Sequence, residues 1–437
     1  MSRAIKIGLA EATITPPLGV RMAGFAARKG VAQGVHDDLH VRALVVEGPE
    51  TSLAILGAAI IGLPRDMVEE VRRTVAGQTG IPERNILMAA THTHSGPVVS
   101  DDYRPLLRDQ CVAVLLSAWE RRTPGRLGAG TTEVDDVSRN RRRLDYGALP
   151  VDPEIGILRL EDSAGRPLGV LFHYSCHPTV MGPDNLMITQ DWPYYAIRRI
   201  RQEVGDVPVI YLNGAEGDQN PGYRSELSAV GAPIPIRVWE FAEKMGTRVG
   251  DAVLAALPGI GTRAECALRG VSGHVDLPLR DTFPITIEQA ERAAKEARER
   301  LAAVEAQGEI PSPVLLHKAQ AEAFMADLTA SRARWFYTAD RGRSIDVELQ
   351  SLLLDDAVFT TFPGEVFVEI GLAVKERSPF AKTFPVGLSA LGSAGYMPTR
   401  AAFAEGDYEV YASGYREDAG DKLVEATLGL IEQLRAA

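Results

Sequence analysis

Asn85-Ile86-Leu87-Met88-Ala89-Ala90, followed at once by Thr91-His92-Thr93-His94-Ser95-Gly96-Pro97, is the stretch on which the reading turns. A short apolar run with no helical period reads as a buried strand. It stops in a turn of hydroxyl, Gly and Pro residues that carries two imidazoles. The same grammar recurs. Residues 207–212 (VPVIYL) end in Asn213-Gly214-Ala215-Glu216-Gly217-Asp218-Gln219-Asn220-Pro221. Residues 357–362 (AVFTTF) end in Pro363-Gly364-Glu365, after which 366–375 has helical spacing. Residues 42–47 and 52–61 read as neighbouring strands, 66–77 as an amphipathic helix, and 155–160 with 167–173 as a hairpin. The pattern predicts an α/β fold with mixed central β-sheets flanked by helices.

One segment stands apart. Residues 286–307 are rich in Ala, Glu and Arg with branched apolar residues at helical intervals; Pro311-Ser312-Pro313 breaks the pattern and 315–334 resumes it. This predicts a helical hairpin, spanning 286–338, inserted in a single catalytic domain over 1–437.

The bulk numbers narrow the function. Of 437 residues, 45% are hydrophobic and 24% charged, which is globular usage and excludes a fibrous or disordered chain. The net charge of −11 argues against nucleic acid as a partner, since that demands a basic footprint. Cys111, Cys176 and Cys266 are too scattered for a disulfide framework or a four-thiolate metal site. The longest apolar run, 51–64, is short of a bilayer span, so no integral membrane segment is expected. The first residues lack the apolar stretch of a signal peptide, which makes a cytoplasmic location the expectation. A homo-oligomer is compatible with all of this.

Ligands of open α/β sheets bind beyond the carboxyl ends of strands. The polar residues just past the apolar runs are His92 and His94, His177 after 170–176, Asp218 and Asn220, and Glu365. Imidazoles with a carboxylate are the donors zinc takes in hydrolytic sites, with one position left for water. Two histidines at i, i+2 on an extended segment point the same way, so one can bind metal while the other holds substrate or a proton. His36, His173, His274 and His317 read as loop, core or surface residues. Asp191, before Trp192-Pro193, reads as the cap of a helix over 192–204.

The run Ala90-Thr91-His92-Thr93-His94-Ser95-Gly96-Pro97 closely resembles the signature of the neutral ceramidases. Further blocks follow in that family's order: Gly8 to Pro16, Ser138-Arg139-Asn140-Arg141, His177-Pro178-Thr179, Asp191 before Tyr195, Pro363-Gly364-Glu365, and Tyr396 with Thr399-Arg400. The resemblance covers the family's catalytic domain, and the family's C-terminal β-sandwich is not expected within these 437 residues. It implies a zinc site on His92, His177, Glu365 and Tyr396. It also implies His94 as a substrate-facing or proton-carrying group and Arg141 as a holder of a carbonyl oxygen or oxyanion. One departure matters: Asn220 stands where the family keeps a serine. A carboxamide cannot be acylated, so the reading is a zinc-activated water attacking an amide (a non-peptide C–N bond) of a small or lipid-like substrate, with Asn220 holding polar substrate atoms. An ester, lactone or glycosidic bond, or a catalytically silent metal-binding relative, are the alternatives.

Overall fold

The computed structural model of the chain describes residues 4–143, 149–229, 232, 234–306, 313–339 and 342–436. Eight strands make the larger sheet: β1 (Lys6–Thr13), β2 (His40–Glu47), β3 (Ser52–Ala58), β4 (Ile86–Ala90), β5 (Thr123–Glu133), β6 (Glu154–Asp162), β7 (Pro167–Tyr174) and β8 (Val209–Asn213). Their order is β8-β7-β6-β5-β1-β2-β3-β4. Only the two outermost pairs, β8 with β7 and β3 with β4, are parallel. A second sheet runs β9 (Leu268–Pro278), β10 (Ser344–Leu354), β11 (Ala357–Thr361) and β12 (Lys382–Val386), with β11 and β12 parallel. Both sheets are therefore mixed, as the sequence predicts.

The longer helices are α1 (Arg65–Thr79), α2 (Arg104–Glu120), α3 (Trp192–Val204), α4 (Trp239–Ala256), α5 (Ile287–Glu305), α6 (Pro313–Thr338), α7 (Val368–Arg377) and α8 (Ala419–Ala436). Strand β2 shows how they layer. Its side chains alternate faces with period two. Val41, Ala43 and Val45 pack with Met67, Val71, Leu107 and Leu115 of α1 and α2. Leu44 and Val46 turn the other way, onto Leu352, Leu354, Phe359 and Phe384 of the second sheet. The far face of that sheet, with Val347, Leu349 and Val358, is covered by Ile370 and Val374 of α7 and Leu423 and Ile431 of α8. The order is helices, sheet, sheet, helices. Each Leu or Val fully removed from water at these layers contributes about 1.5–3 kcal/mol relative to exposure. That explains why β2, β4 and β8 read as apolar runs: both faces are buried.

The larger sheet is rolled, so that β8 and β4, last in order at opposite edges, approach one another. The Asn213 side-chain amide donates to Thr91 O at 3.1 Å. Gly57 on β3 permits this closeness, because a methyl there would lie 2.9 Å from Tyr211 O. The chain leaving β12 fills the remaining gap: Gly387 N–H donates to Asn213 O at 3.0 Å and Ala90 N–H to Leu388 O at 3.4 Å. The ends of β4, β8 and β12 thus meet.

Thr286 caps α5 in a reciprocal capping box with Gln289. Helix α5 packs on α6 through Ala290, Ala294, Ala330 and Ala333, between which Phe283 and Phe336 are wedged. Arg298 pairs with Asp327 at 2.8 Å across the helices. Pro311 and Ser312 of the expected break lie outside the described residues. Helix α6 does not project freely: it packs on the short helix Tyr408–Ala412, and Phe324 stacks at 6.3 Å on Tyr408.

Candidate metal centre

His92 follows β4 in a left-handed backbone conformation, φ 73°, where a non-glycine residue is uncommon. Backbone hydrogen bonds from Thr91 to Ala58 O (2.8 Å) and from His92 to Ile60 O (2.9 Å) hold it there. The extended His-x-His expected from the sequence is therefore a sharp turn. The two rings converge through the turn and not through strand alternation: His94 Nε2 lies 3.1 Å from His92 Nε2. The His92 Nδ1–H donates to Ile61 O at 2.7 Å. That leaves Nε2 to face the centre.

His177 follows β7 and is fully buried. Its Nδ1 lies 2.8 Å from Glu216 O and 2.9 Å from Gln219 O, so the proton sits on this nitrogen. Its Nε2 lies 3.0 Å from Glu365 Oε2, and His92 Nε2 lies 3.5 Å from the same oxygen. Two imidazoles with Nδ1 held by backbone carbonyls and Nε2 directed at one carboxylate are in the tautomer that a metal-binding histidine requires.

Glu365 follows β11 and comes from the second sheet. Residues Glu365–Val366 form a two-residue parallel bridge with Tyr396–Met397, which sets Glu365 beside Tyr396. The Tyr396 ring lies under the Arg141 guanidinium, 5.3 Å from its centroid, and 5.7 Å from the Tyr408 ring. Arg141 is placed by another short bridge, Asn140 opposite Gln219, and by its own N–H on Asp218 O at 2.8 Å. Its guanidinium donates to Glu409 at 2.7 Å and to Gly217 O at 2.8 Å, and Nη1 lies 3.3 Å from His177 Nε2.

Glu216, in the loop after β8, is a member of the site that sequence reasoning missed. Ligand atoms of His92, His177, Glu216 and Glu365 all lie within 4.8 Å of one another, as do those of His92, His94 and His177. Neither carboxylate oxygen of Glu216 has a hydrogen-bond partner among the described residues, although the residue is fully buried. Buried polar groups are normally paired, and a divalent cation would supply the partner that the two Glu216 oxygens lack. The residues present therefore fit a metal ion.

The electrostatics agree with a crowded, dry site. Burial first, then the His92 and His177 imidazoles, hold His94 well below the usual histidine range. Burial and the Arg141 guanidinium bring His177 down to about 4. For Glu365, burial works upward but is outweighed by His92 and His177, so its carboxyl stays well below the carboxylate range. Burial and the neighbouring Glu365 push Glu216 well up. Arg141 is held well above its ordinary value: burial opposes this, but Tyr396, Glu409 and Glu365 outweigh it.

The structure brings His92, His94, His177, Glu365, Tyr396 and Arg141 together. It does not bring Asn220 with them in the expected part. The Asn220 carboxamide is spent on its own turn: its oxygen accepts from Gly222 N (2.8 Å) and Tyr223 N (3.2 Å), and its nitrogen donates to Tyr223 O (2.9 Å). Asn220 holds a loop rather than a substrate. Asp191 caps α3 through Trp192 N at 2.8 Å and also fixes Val180 N and Met181 N, three and four residues past His177; it touches no ligand imidazole. His36 is stacked on Trp239 at 4.0 Å, and His173 is buried with Nε2 on Pro385 O at 2.7 Å. Besides Glu216, Glu409 and Tyr408 were also missed. All three lack a distinctive local pattern, though Glu216 sits in the very loop whose ends were singled out.

Residues 5–210 match the family model described as neutral/alkaline non-lysosomal ceramidase, N-terminal. The chain is 27% identical to the neutral ceramidase of Pseudomonas aeruginosa over 223 residues, 44% of this chain and 32% of that one. It is 24% identical to neutral ceramidase B of Dictyostelium discoideum over 250 residues, 49% of this chain and 35% of the relative. The matches span about a third of the length of these curated relatives. The crystal structure of neutral ceramidase from Pseudomonas aeruginosa superposes with a TM-score of 0.75 at 19% identity, covering 100% of this chain and 75% of that chain. A ceramidase complexed with C2 gives 0.74 at 18% identity. The chain is thus similar to the neutral/alkaline non-lysosomal ceramidases: residues 5–210 match the model of their N-terminal region, and the described residues share the fold of the Pseudomonas aeruginosa neutral ceramidase.

Proposed function

We propose that the protein is a zinc-dependent hydrolase that cleaves a non-peptide amide bond of a lipid-like substrate, with water as the nucleophile. The observation that carries this reading is the convergence of His92, His177 and Glu365 on one buried space. Together with Tyr396 they would hold the ion, which supplies Lewis acidity and brings the pKa of a bound water toward about 7.

The chain's own groups do the rest. His94 keeps an imidazole that burial and its neighbours hold neutral, as a proton acceptor must be. Its Nε2 faces the centre, 3.1 Å from His92 Nε2, so it takes the proton from water and returns it to the leaving nitrogen. Arg141, fixed by Glu409 and Gly217 O, sets a permanent positive charge where the carbonyl oxygen becomes anionic. Tyr396 would serve in one of two ways, completing the ligand set or donating its hydroxyl to that oxygen. Water adds to the carbonyl carbon, the C–N bond breaks, and an acid and an amine leave.

The test is turnover of N-acyl lipid amides against matched esters, with and without chelator. Amide hydrolysis that chelator abolishes and zinc restores is expected. A folded protein that carries no stoichiometric metal after reconstitution and turns over none of the probes would sink the proposal.

A further inference from the structure

Glu216 has no part in the ligand set that the family resemblance implies, yet its carboxyl lies among the centre's ligand atoms with neither oxygen hydrogen-bonded among the described residues. Glu365 already shares its carboxylate with two imidazoles. Glu216 has neither an imidazole nor a hydrogen-bond donor on either oxygen among the described residues. Its position is enforced. The Glu216 backbone carbonyl accepts from His177 Nδ1 at 2.8 Å, so the residue is tied to the ring of a candidate ligand. On the other side Gly387 leaves space only for hydrogen: a methyl there would lie 2.3 Å from Gly214 O and 2.6 Å from Glu216 Oε2. The carboxylate is seated between Gly387 and the two imidazoles, within 4.8 Å of the ligand atoms of His92, His177 and Glu365.

We infer that Glu216 is itself a metal ligand, making the centre one of two imidazoles and two carboxylates. This rests on the metal-dependent reading above. Two carboxylates would neutralise a divalent cation fully, which would leave the Tyr396 hydroxyl available as a neutral donor to the substrate. Oxygen-rich sets of this kind also hold manganese better than nitrogen-rich ones do.

The experiment uses chelator-stripped full-length protein and titrates zinc and manganese separately by calorimetry. Wild type, Glu216→Gln and Glu365→Gln are compared, and zinc-edge X-ray absorption counts the nitrogen and oxygen neighbours. Residues that merely support a ligand cost about 10–100-fold in affinity. Glu216→Gln is therefore expected to weaken zinc by more than 100-fold, to weaken manganese at least as much, and to lose one oxygen neighbour. Glu216→Gln that binds zinc as wild type does, with the same neighbour count, overturns the inference and leaves the hydrolase reading standing. Wild type that is folded but binds neither ion overturns both. Should Glu216→Gln fail to fold, a crystal structure of zinc-loaded wild type decides: a Glu216 oxygen at bonding distance from the ion supports the inference, and its absence there refutes it.

Discussion

Glu365 and Tyr396 are register partners in a parallel bridge of only two residues, so backbone pairing sets the candidate metal ligand and the phenol side by side. The ring is further packed under Arg141 and against Tyr408. Tyr396→Phe keeps the bridge and the ring but deletes the hydroxyl. We expect kcat to fall by about 10²–10³-fold, the loss typical of one oxyanion donor, with the circular dichroism spectrum unchanged. Wild-type kcat in this variant would exclude the phenol from the chemistry.

The imidazoles should separate by role. His92→Ala and His177→Ala each remove a ring whose Nε2 faces Glu365, and each should leave protein without stoichiometric zinc by elemental analysis. His94→Ala should retain most of the metal and lose most of the activity, since among the described residues Glu365 pairs with His92 and His177 and not with His94. Loss of metal in all three would make His94 a ligand as well.

Asn220 should matter for stability and not for acylation. Its carboxamide satisfies Gly222 N, Tyr223 N and Tyr223 O in a buried loop. Asn220→Ala strands these groups and should cost about 1–3 kcal/mol, read as a lowered denaturation midpoint. Because no hydroxyl stands at this position, wild-type turnover should show no burst of product. An acyl adduct found on any side chain by mass spectrometry would overturn the water mechanism.

His173 gives a pH dependence away from the centre. Burial, then Lys375, brings its pKa from 6.5 down to about 4. Between those values the unfolded chain binds more protons than the folded one, so stability rises with pH across that window. The contribution is complete above pH 6.5 and is lost as pH falls towards 4, on the order of 3 kcal/mol for a group buried this deeply. His173→Gln retains a donor for Pro385 O and cannot titrate. Its Tm should fall less than that of wild type between pH 6.5 and 5. Parallel Tm curves would show that His173 is not the sensor.

The sheets were legible because strands such as β2, β4 and β8 are buried on both faces and so carry unbroken apolar runs. His92, His177 and Glu365 were legible because each lies just beyond such a run. Glu216 also lies just beyond one, but a lone Glu in a Gly-rich loop looks like any solvated turn residue. Only the closing of the rolled sheet, with Gly387 against Asn213, shows that this turn is dry. Asn220 was misjudged for a related reason: sequence position places a residue in a loop but does not say whether its side chain is spent on that loop. The left-handed turn at His92 has no local sequence mark either, since no glycine or asparagine announces it.

The split origin of the donors has a mechanical consequence. His92 and His177 are carried by the first half of the polypeptide and by the larger sheet, whereas Glu365 arrives on the second sheet. Neither half can assemble the constellation alone, so the centre exists only while the two sheets stay docked. A cation bound there works as a clasp, tightening the docked state in proportion to its own affinity and contributing nothing to either half apart. Occupancy of the full centre would therefore report on the integrity of the whole molecule, since a fragment ending near residue 210 keeps the three imidazoles but lacks both Glu216 and Glu365.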